Sequence, residues 1–394
     1  MTWLLSVIYK FGLCFADASE YTYFAILVQA ALSCLSGYCL FKIVSDQFKS
    51  TYAYLSWLLF SVHIGLNPWI SIPYTDAMAL CVPIVVLRIY QLTKNDKYLI
   101  IKWCAVGFIC FFGFKIKPQC LIVFIAVFIA ELIELIRRGD RKFICNKARN
   151  LLLSVCAGVI AILLCSHVLV PSMNIPVDPN AEFKITHHLM MGLNTERDGV
   201  YLQSDVDYSA AFSTVDDRVS GNIEMTKRRL ADMGFVGLLK HTAKKTLVNF
   251  ADGTYAWSQE GNFYSVMFED RNYVASPFLK SVYYAGGSNY MYFKTFQHCL
   301  WLLVLFGSGG ACLYFTFAKS SERVTCAAVL STIGVTLFQT IFEARARYFF
   351  IYSPVFLLVA LIGWIGISKV IERGVHRLFP TKIMRKIFFG GEND

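Results

Sequence analysis

Apolar residues run in long blocks along the chain, at 22–43, 52–67, 76–92, 98–114, 118–136, 150–170, 295–317, 324–342 and 349–371. As helices, blocks of this length match the thickness of a bilayer. The pattern predicts an all-α polytopic membrane protein with about nine transmembrane helices. Only Lys115, Ile116, Lys117 and Pro118 separate two of the blocks, which predicts a tight helical hairpin. Residues 1–21 begin apolar and turn polar too soon to cross, so an external interfacial helix is expected there. Helices 1–6 then occupy 22–170 and helices 7–9 occupy 295–371, with an external domain at 171–294 and a basic cytoplasmic tail at 372–394. Within the domain, Met225, Leu230, Met233 and Val236 recur at helical spacing. They predict two helices, broken near Gly234 and stopped at Asp252-Gly253. The stretch "TYAWSQEGNFYSVMFED" reads as a loop on the membrane surface.

Composition agrees with this pattern. Hydrophobic residues make up 56% and charged residues 16%, against roughly 25% charged in a soluble domain. Mean hydropathy is +0.51. The net charge of +10 would suggest nucleic acid in a soluble chain, but here its placement excludes that partner. Lys42 and Lys49; Arg88, Lys94 and Lys97; Arg137, Arg138, Arg141, Lys142, Lys147 and Arg149; Lys319 and Arg323; and Arg373, Arg377, Lys382, Arg385 and Lys386 all fall on one side of the predicted membrane. The positive-inside rule makes that side the cytoplasm. The N-terminus is then outside and the C-terminus inside. The polar stretch 171–294 holds no cysteine, so no disulfide framework is expected there. No spacing of Cys and His suggests a metal, and no cofactor is implied.

Four features on the outer side need a reason. "NPWISIPYTDAMAL" sets Asp76 at the start of a span, as helix N-cap or as a carboxylate facing an external cavity. "GFKIKPQC" sets Lys115 and Lys117 outside, against the charge bias, where they either snorkel or meet a phosphate. "FEARARYFFIYSP" packs Glu343, Arg345 and Arg347 into a very short turn. A pair between Glu343 and either arginine would leave one guanidinium over for an anion, with Tyr348 beside it. The external stretch adds His187-His188, Glu196, Trp257 and Glu260. The histidines read as an exposed pair rather than as metal ligands. Together these features suggest a lipid-linked phosphate and a polar acceptor.

The motifs "PYTDAMAL", "GFKIKPQCLIVF" and "EARARYFFIYSPVFLLVA", with a large external segment before the last spans, resemble bacterial members of the GT-C superfamily. These are integral-membrane glycosyltransferases that use polyprenyl-phosphate sugars, and they include the protein O-mannosyltransferases and the lipid A aminoarabinose transferase. The resemblance covers most of the chain in layout. It implies an enzyme of the bacterial plasma membrane performing inverting transfer from a polyprenyl-phosphate-linked donor to a glycan, lipid or protein acceptor at the outer face. It further implies a catalytic or site-shaping role for Asp76 and phosphate binding by Lys117, Arg345, Arg347 and Tyr348. Lys115, Glu343, Trp257 and Glu260 would support them. In the family a principal catalytic acid lies in a first external loop. Asp17 and Glu20 match that position poorly, so an upstream span is expected. The alternatives are a flippase or transporter for a lipid-linked saccharide, and a non-catalytic envelope-assembly protein.

Overall fold

The computed structural model describes residues 2–15, 21–94, 98–138, 141–173, 175, 178–267, 276–317 and 323–378. Asp17, Glu20, Lys97, Lys319 and tail residues 379–394 lie outside the described residues. Helices account for the architecture, with no strand among the described residues. Among the described residues, eight helices are long and apolar enough to cross a membrane. They include α2 (Tyr21–Ser45), α6 (Leu99–Ile116), α7 (Leu121–Arg138), α8 (Arg141–Leu164), α14 (Tyr290–Gly309), α16 (Arg323–Ile341) and α17 (Ser353–Leu378). The remaining one joins α4 (Thr75–Met78) to α5 (Cys81–Leu92). α15 (Ala311–Phe317) follows α14 across a short break.

The block expected at 52–67 is shorter as a helix than the other spans. It forms α3 (Ser50–Phe60), 11 residues long, continued by five residues of π-helix over Ser61–Gly65. It nevertheless runs between the same two polar layers as its neighbours. At one layer Asp46 meets Arg88 at 2.5 Å, and Gln47 accepts from Thr325 at 3.1 Å. At the other, the Gln29 amide donates to the carbonyls of Trp69 at 2.9 Å and Ile70 at 2.7 Å.

The first of these layers is an ionic lattice within the bundle. Glu131 is fully buried and accepts from Tyr90 at 2.5 Å. It pairs with Arg323 at 3.3 Å and with Lys147. Lys147 also reaches Glu134 at 3.2 Å, and Arg323 donates to Thr93 at 2.6 Å. A carboxylate taken out of water needs such partners. They bind α5, α7, α8 and α16 together at one end.

The run "SPVFLLVALIGWIGI" is apolar on every side, and a helix of that kind must be surrounded. Accordingly α17 is central, and Val355, Leu358, Val359 and Ile362 are wholly or almost wholly buried. It packs against α14, α15 and α16. α6 crosses α8 closely because Gly107 has no side chain. A Cβ there would lie 1.8 Å from the Ser154 carbonyl oxygen, and Ser154 Oγ donates to Trp103 O at 2.7 Å. Small residues at crossings let helix backbones approach where lipid offers no hydrophobic drive. Large apolar side chains such as Leu27, Ile101, Ile160, Leu302 and Leu337 face outward, as a bilayer solvent permits.

At the N-terminal end, α1 (Thr2–Gly12) buries Trp3 and Ile8 against the bundle and exposes Phe11, as the turn after it exposes Phe15. Trp3 meets Phe112 edge-on at 5.2 Å.

The segment between α8 and α14 is mainly helical: α9 (Ile185–Met191), α10 (Gln203–Ala210), α11 (Val215–Phe250), α12 (Trp257–Met267) and α13 (Ser276–Tyr283). Gly234, at φ 58° and ψ −176°, breaks α11 where expected. Only glycine takes that backbone geometry at little cost.

One expectation fails here. The aromatic stretch is not a loop throughout: its portion "WSQEGNFYSVM" is helix α12. The apolar residues whose spacing predicted these helices do not face a core: Leu230 and Val236 are exposed. Instead α11 buries a polar stripe of Arg218, Asn222, Thr226, His241, Lys245 and Asn249. Arg218, His241, Lys245 and Asn249 satisfy carbonyl groups of neighbouring segments, so hydrogen bonding rather than hydrophobicity selects the inner face.

Candidate functional site

The second polar layer gathers the residues singled out in the sequence. Asn67 accepts from Trp69 N at 3.1 Å and starts a 3-10 turn over Pro68–Ser71. The chain then runs extended to Tyr74, which occupies the N-cap position of α4 without a side-chain capping bond. Asp76 is therefore not the cap. It stands within the first turn, 1% exposed, and each of its oxygens meets a cation.

One of those cations is Lys117. The following proline disfavours helical backbone, and Lys117 is extended at φ −147°, ψ 122°. Its Nζ lies 2.8 Å from Asp76 Oδ1 and 4.3 Å above the centre of the Tyr348 ring. Lys115 does not join it. It lies on the side of Cys165 and makes no ion pair among the described residues.

The other cation is Arg347, whose Nε is 3.3 Å from Asp76 Oδ2. Its guanidinium is 4.5 Å from the Tyr74 ring centre and 5.4 Å from that of Trp69. Glu260, on α12, takes Arg347 through one carboxylate oxygen and Arg345 Nε through the other, the latter at 2.5 Å.

The expected pairing of Glu343 with an arginine is thus replaced. Glu343 accepts from Tyr348 OH at 3.0 Å and lies 3.4 Å from His188 Nδ1. The extended Arg345 and the 3-10 turn Ala346–Tyr352 direct the arginines toward α12, while Glu343 faces α9. Burial pushes the Glu343 carboxyl up. His188, Tyr348 and Arg345 more than offset this, holding it below the ordinary range.

Trp257 stands behind the cations. Its ring packs edge-on against Trp69 at 5.3 Å, and its Nε1 donates to Tyr283 O at 2.6 Å. His187 turns inward, with Nδ1 2.7 Å from Ser209 Oγ. Burial, aided by His188, pulls its pKa down to about 4. Glu196 lines a separate hollow of about 310 Å³ with Arg229 and Asp232. Among the described residues no group of three His, Cys, Asp or Glu could hold a metal ion.

Sequence reading missed Lys245. It is 1% exposed, and its Nζ donates to Gly192 O at 2.8 Å, Thr340 O at 2.9 Å and Phe342 O at 2.6 Å. Ala344 N adds a bond to Gly199 O at 2.7 Å. Together they tie α11 and the loop after α9 to the strap carrying Glu343, Arg345 and Arg347. Burial lowers the Lys245 pKa to about 8, opposed by Glu343, so the ammonium persists at neutral pH. The available signal was the four-residue spacing of His241, Lys245 and Asn249, which puts three polar groups on one helix face.

Three carboxylates and three cations thus meet in one layer, and one carboxylate bridges two guanidiniums. Guanidinium groups so placed match two oxygens of a single anion. No curated protein and no solved structure matches the chain. A family model described as "conserved hypothetical integral membrane protein" matches residues 21–366. With that match spanning nearly all the apolar blocks, the chain belongs to the family of conserved hypothetical integral membrane proteins.

Proposed function

We propose that the protein is an inverting membrane glycosyltransferase of the GT-C type. It moves a sugar from a polyprenyl-phosphate carrier to an acceptor hydroxyl at the outer face of the bacterial plasma membrane. The observation that carries this reading is the anion grip. Arg345 and Arg347 share the two oxygens of Glu260, and Lys117 stands across Asp76 from Arg347. A phosphate displacing Glu260 would meet the same two guanidiniums. Negative charge that grows on the departing phosphate would be stabilised there without reorganising solvent.

Asp76 is shielded from water and held between two cations. In this reading it keeps Lys117 and Arg347 in register. The outer-face assignment follows from the basic connections, which adjoin the opposite layer. In that layer Arg88, Lys147 and Arg323 are paired. A transporter would place its ionisable groups near mid-bilayer. Here the paired charges gather into two end layers, which suits surface chemistry better.

The test uses the full chain in nanodiscs with undecaprenyl-phosphate-linked glucose, mannose and N-acetylglucosamine as donors. Arg347→Ala and Lys117→Ala should each reduce transfer by about 10²–10³ while the protein still inserts and folds. Full transfer by both variants would remove the phosphate grip. A wild-type chain that transfers none of these sugars would remove the enzyme reading.

A further inference from the structure

The grip accounts for the departing group but leaves open which group takes the proton of the attacking hydroxyl. Asp76 is 1% exposed and has a cation on each oxygen. Glu260 is spread over two guanidiniums. Asp76 is closed to water, and both oxygens of Glu260 are held by cations. His188 is open to water. Its side chain is 49% exposed, on α9 at the edge of the cluster, and its Nδ1 lies 3.4 Å from Glu343 Oε2. Glu343 is 8% exposed and is fixed by Tyr348 OH. The Tyr348 ring in turn lies under Lys117.

We infer that His188 is the general base of the transfer, held by Glu343 in the tautomer that leaves Nε2 free. The inference rests on the glycosyl-transfer reading above. An ionised carboxylate can only accept a hydrogen bond, so the proton of a neutral His188 sits on Nδ1 and the lone pair on Nε2. In the reaction the acceptor oxygen bonds to the anomeric carbon and its proton passes to Nε2. The bond from the anomeric carbon to the phosphate oxygen breaks, and its electron pair leaves on polyprenyl phosphate. The resulting imidazolium is stabilised by Glu343. The carboxylate is thus a positioning residue.

The charged and titratable groups around this pair come from every element packed on it. Glu343 and Arg345 lie on the strap, and Tyr348 on the 3-10 turn. Lys245 on α11 acts on Glu343, and His187 adjoins His188 on α9, with ring centres 5.3 Å apart. Lys245 and Arg345 favour an ionised Glu343, which the tautomer requires.

The experiment compares the full-length wild type with His188→Gln, His188→Gly and Glu343→Gln in nanodiscs, using the same undecaprenyl-phosphate sugars. Binding of undecaprenyl phosphate is followed separately by tryptophan fluorescence, because Trp69 stacks near Arg347. Loss of a general base removes about 10²–10⁴ of the rate. His188→Gln should lower kcat within that range, leave undecaprenyl phosphate binding unchanged and abolish the acidic limb of the pH–rate profile. Added imidazole should restore turnover to His188→Gly, which a merely structural histidine would not permit.

Equal turnover by wild type and His188→Gln overturns the base assignment alone. So does a His188→Gly defect that imidazole does not relieve while the acidic limb of His188→Gln persists. A wild type inactive with every donor overturns the glycosyl-transfer reading, and the base assignment falls with it.

Discussion

Neutralising Asp76 tests the central ion cluster most directly. The carboxylate is buried, with Lys117 at 2.8 Å and Arg347 at 3.3 Å, and it balances them together with Glu260 and Glu343 against Arg345. Asp76→Asn removes one negative charge from a balanced set and leaves two cations facing an amide. Removing one partner of a buried pair costs about 3–5 kcal/mol. Lys117→Met keeps the bulk of the side chain and leaves Asp76 paired with Arg347, so losing one charge-assisted bond should cost about 1.5–3 kcal/mol. In the double variant the Asp76–Lys117 attraction is removed only once, although each single variant loses it. The double should therefore fall short of the summed costs by about 1.5–3 kcal/mol. Reversible unfolding in mixed SDS micelles, followed by far-UV circular dichroism, gives all three values. Additivity within about 0.5 kcal/mol would mean that the two groups do not interact, and the cluster as described would be wrong.

Lys245→Met should destabilise the protein by about 2–4 kcal/mol because Thr340 and Phe342 carbonyls lose their donor; hydrogen exchange at Ala344 should quicken alongside the lower Tm. Lys245 also fixes a pH dependence. Its folded pKa of about 8 lies below the ordinary 10.5, so the unfolded chain holds the proton longer and stability gains from this group as pH rises from 8 to 10.5. That gain should be missing from the Tm of Lys245→Met. Glu343 acts at the acid end: its carboxyl is held low, so its contribution is present above the ordinary carboxylate range and disappears as pH falls through its lowered pKa. Glu343→Gln should flatten the acid limb of a Tm–pH curve. At the far layer, Glu131→Gln leaves Lys147 and Arg323 without their shared carboxylate and should cost about 3–5 kcal/mol in the same unfolding assay.

The apolar blocks, the hairpin turn before Pro118 and the break at Gly234 were legible because each has a local cause. Block length is set against bilayer thickness, proline restricts the residue before it, and a positive φ asks for glycine. Asp76, Lys117, Arg345 and Arg347 were also legible as candidates, since charge beside a span is costly without a partner. Their partners were not. The sequence suggested Glu343 for the arginines because it stands nearest along the chain. The fold supplies Glu260 from a helix far away in sequence, and turns Glu343 toward His188. The inner face of α11 was not legible for a related reason. Hydrophobic spacing marks a core only where the core is apolar, whereas α11 packs on loops whose carbonyls need donors.

Sequence by itself therefore determined the solvent of this protein, the rough limits of most of its apolar segments, and which charges would be expensive to leave alone. Tertiary structure decided which charges meet. Hydropathy acts residue by residue and survives in one dimension, but an ion pair depends on distances between segments brought together by packing. That is why Asp76 lies between Lys117 and Arg347, and why Lys245 fastens a strap almost a hundred residues beyond it in the chain.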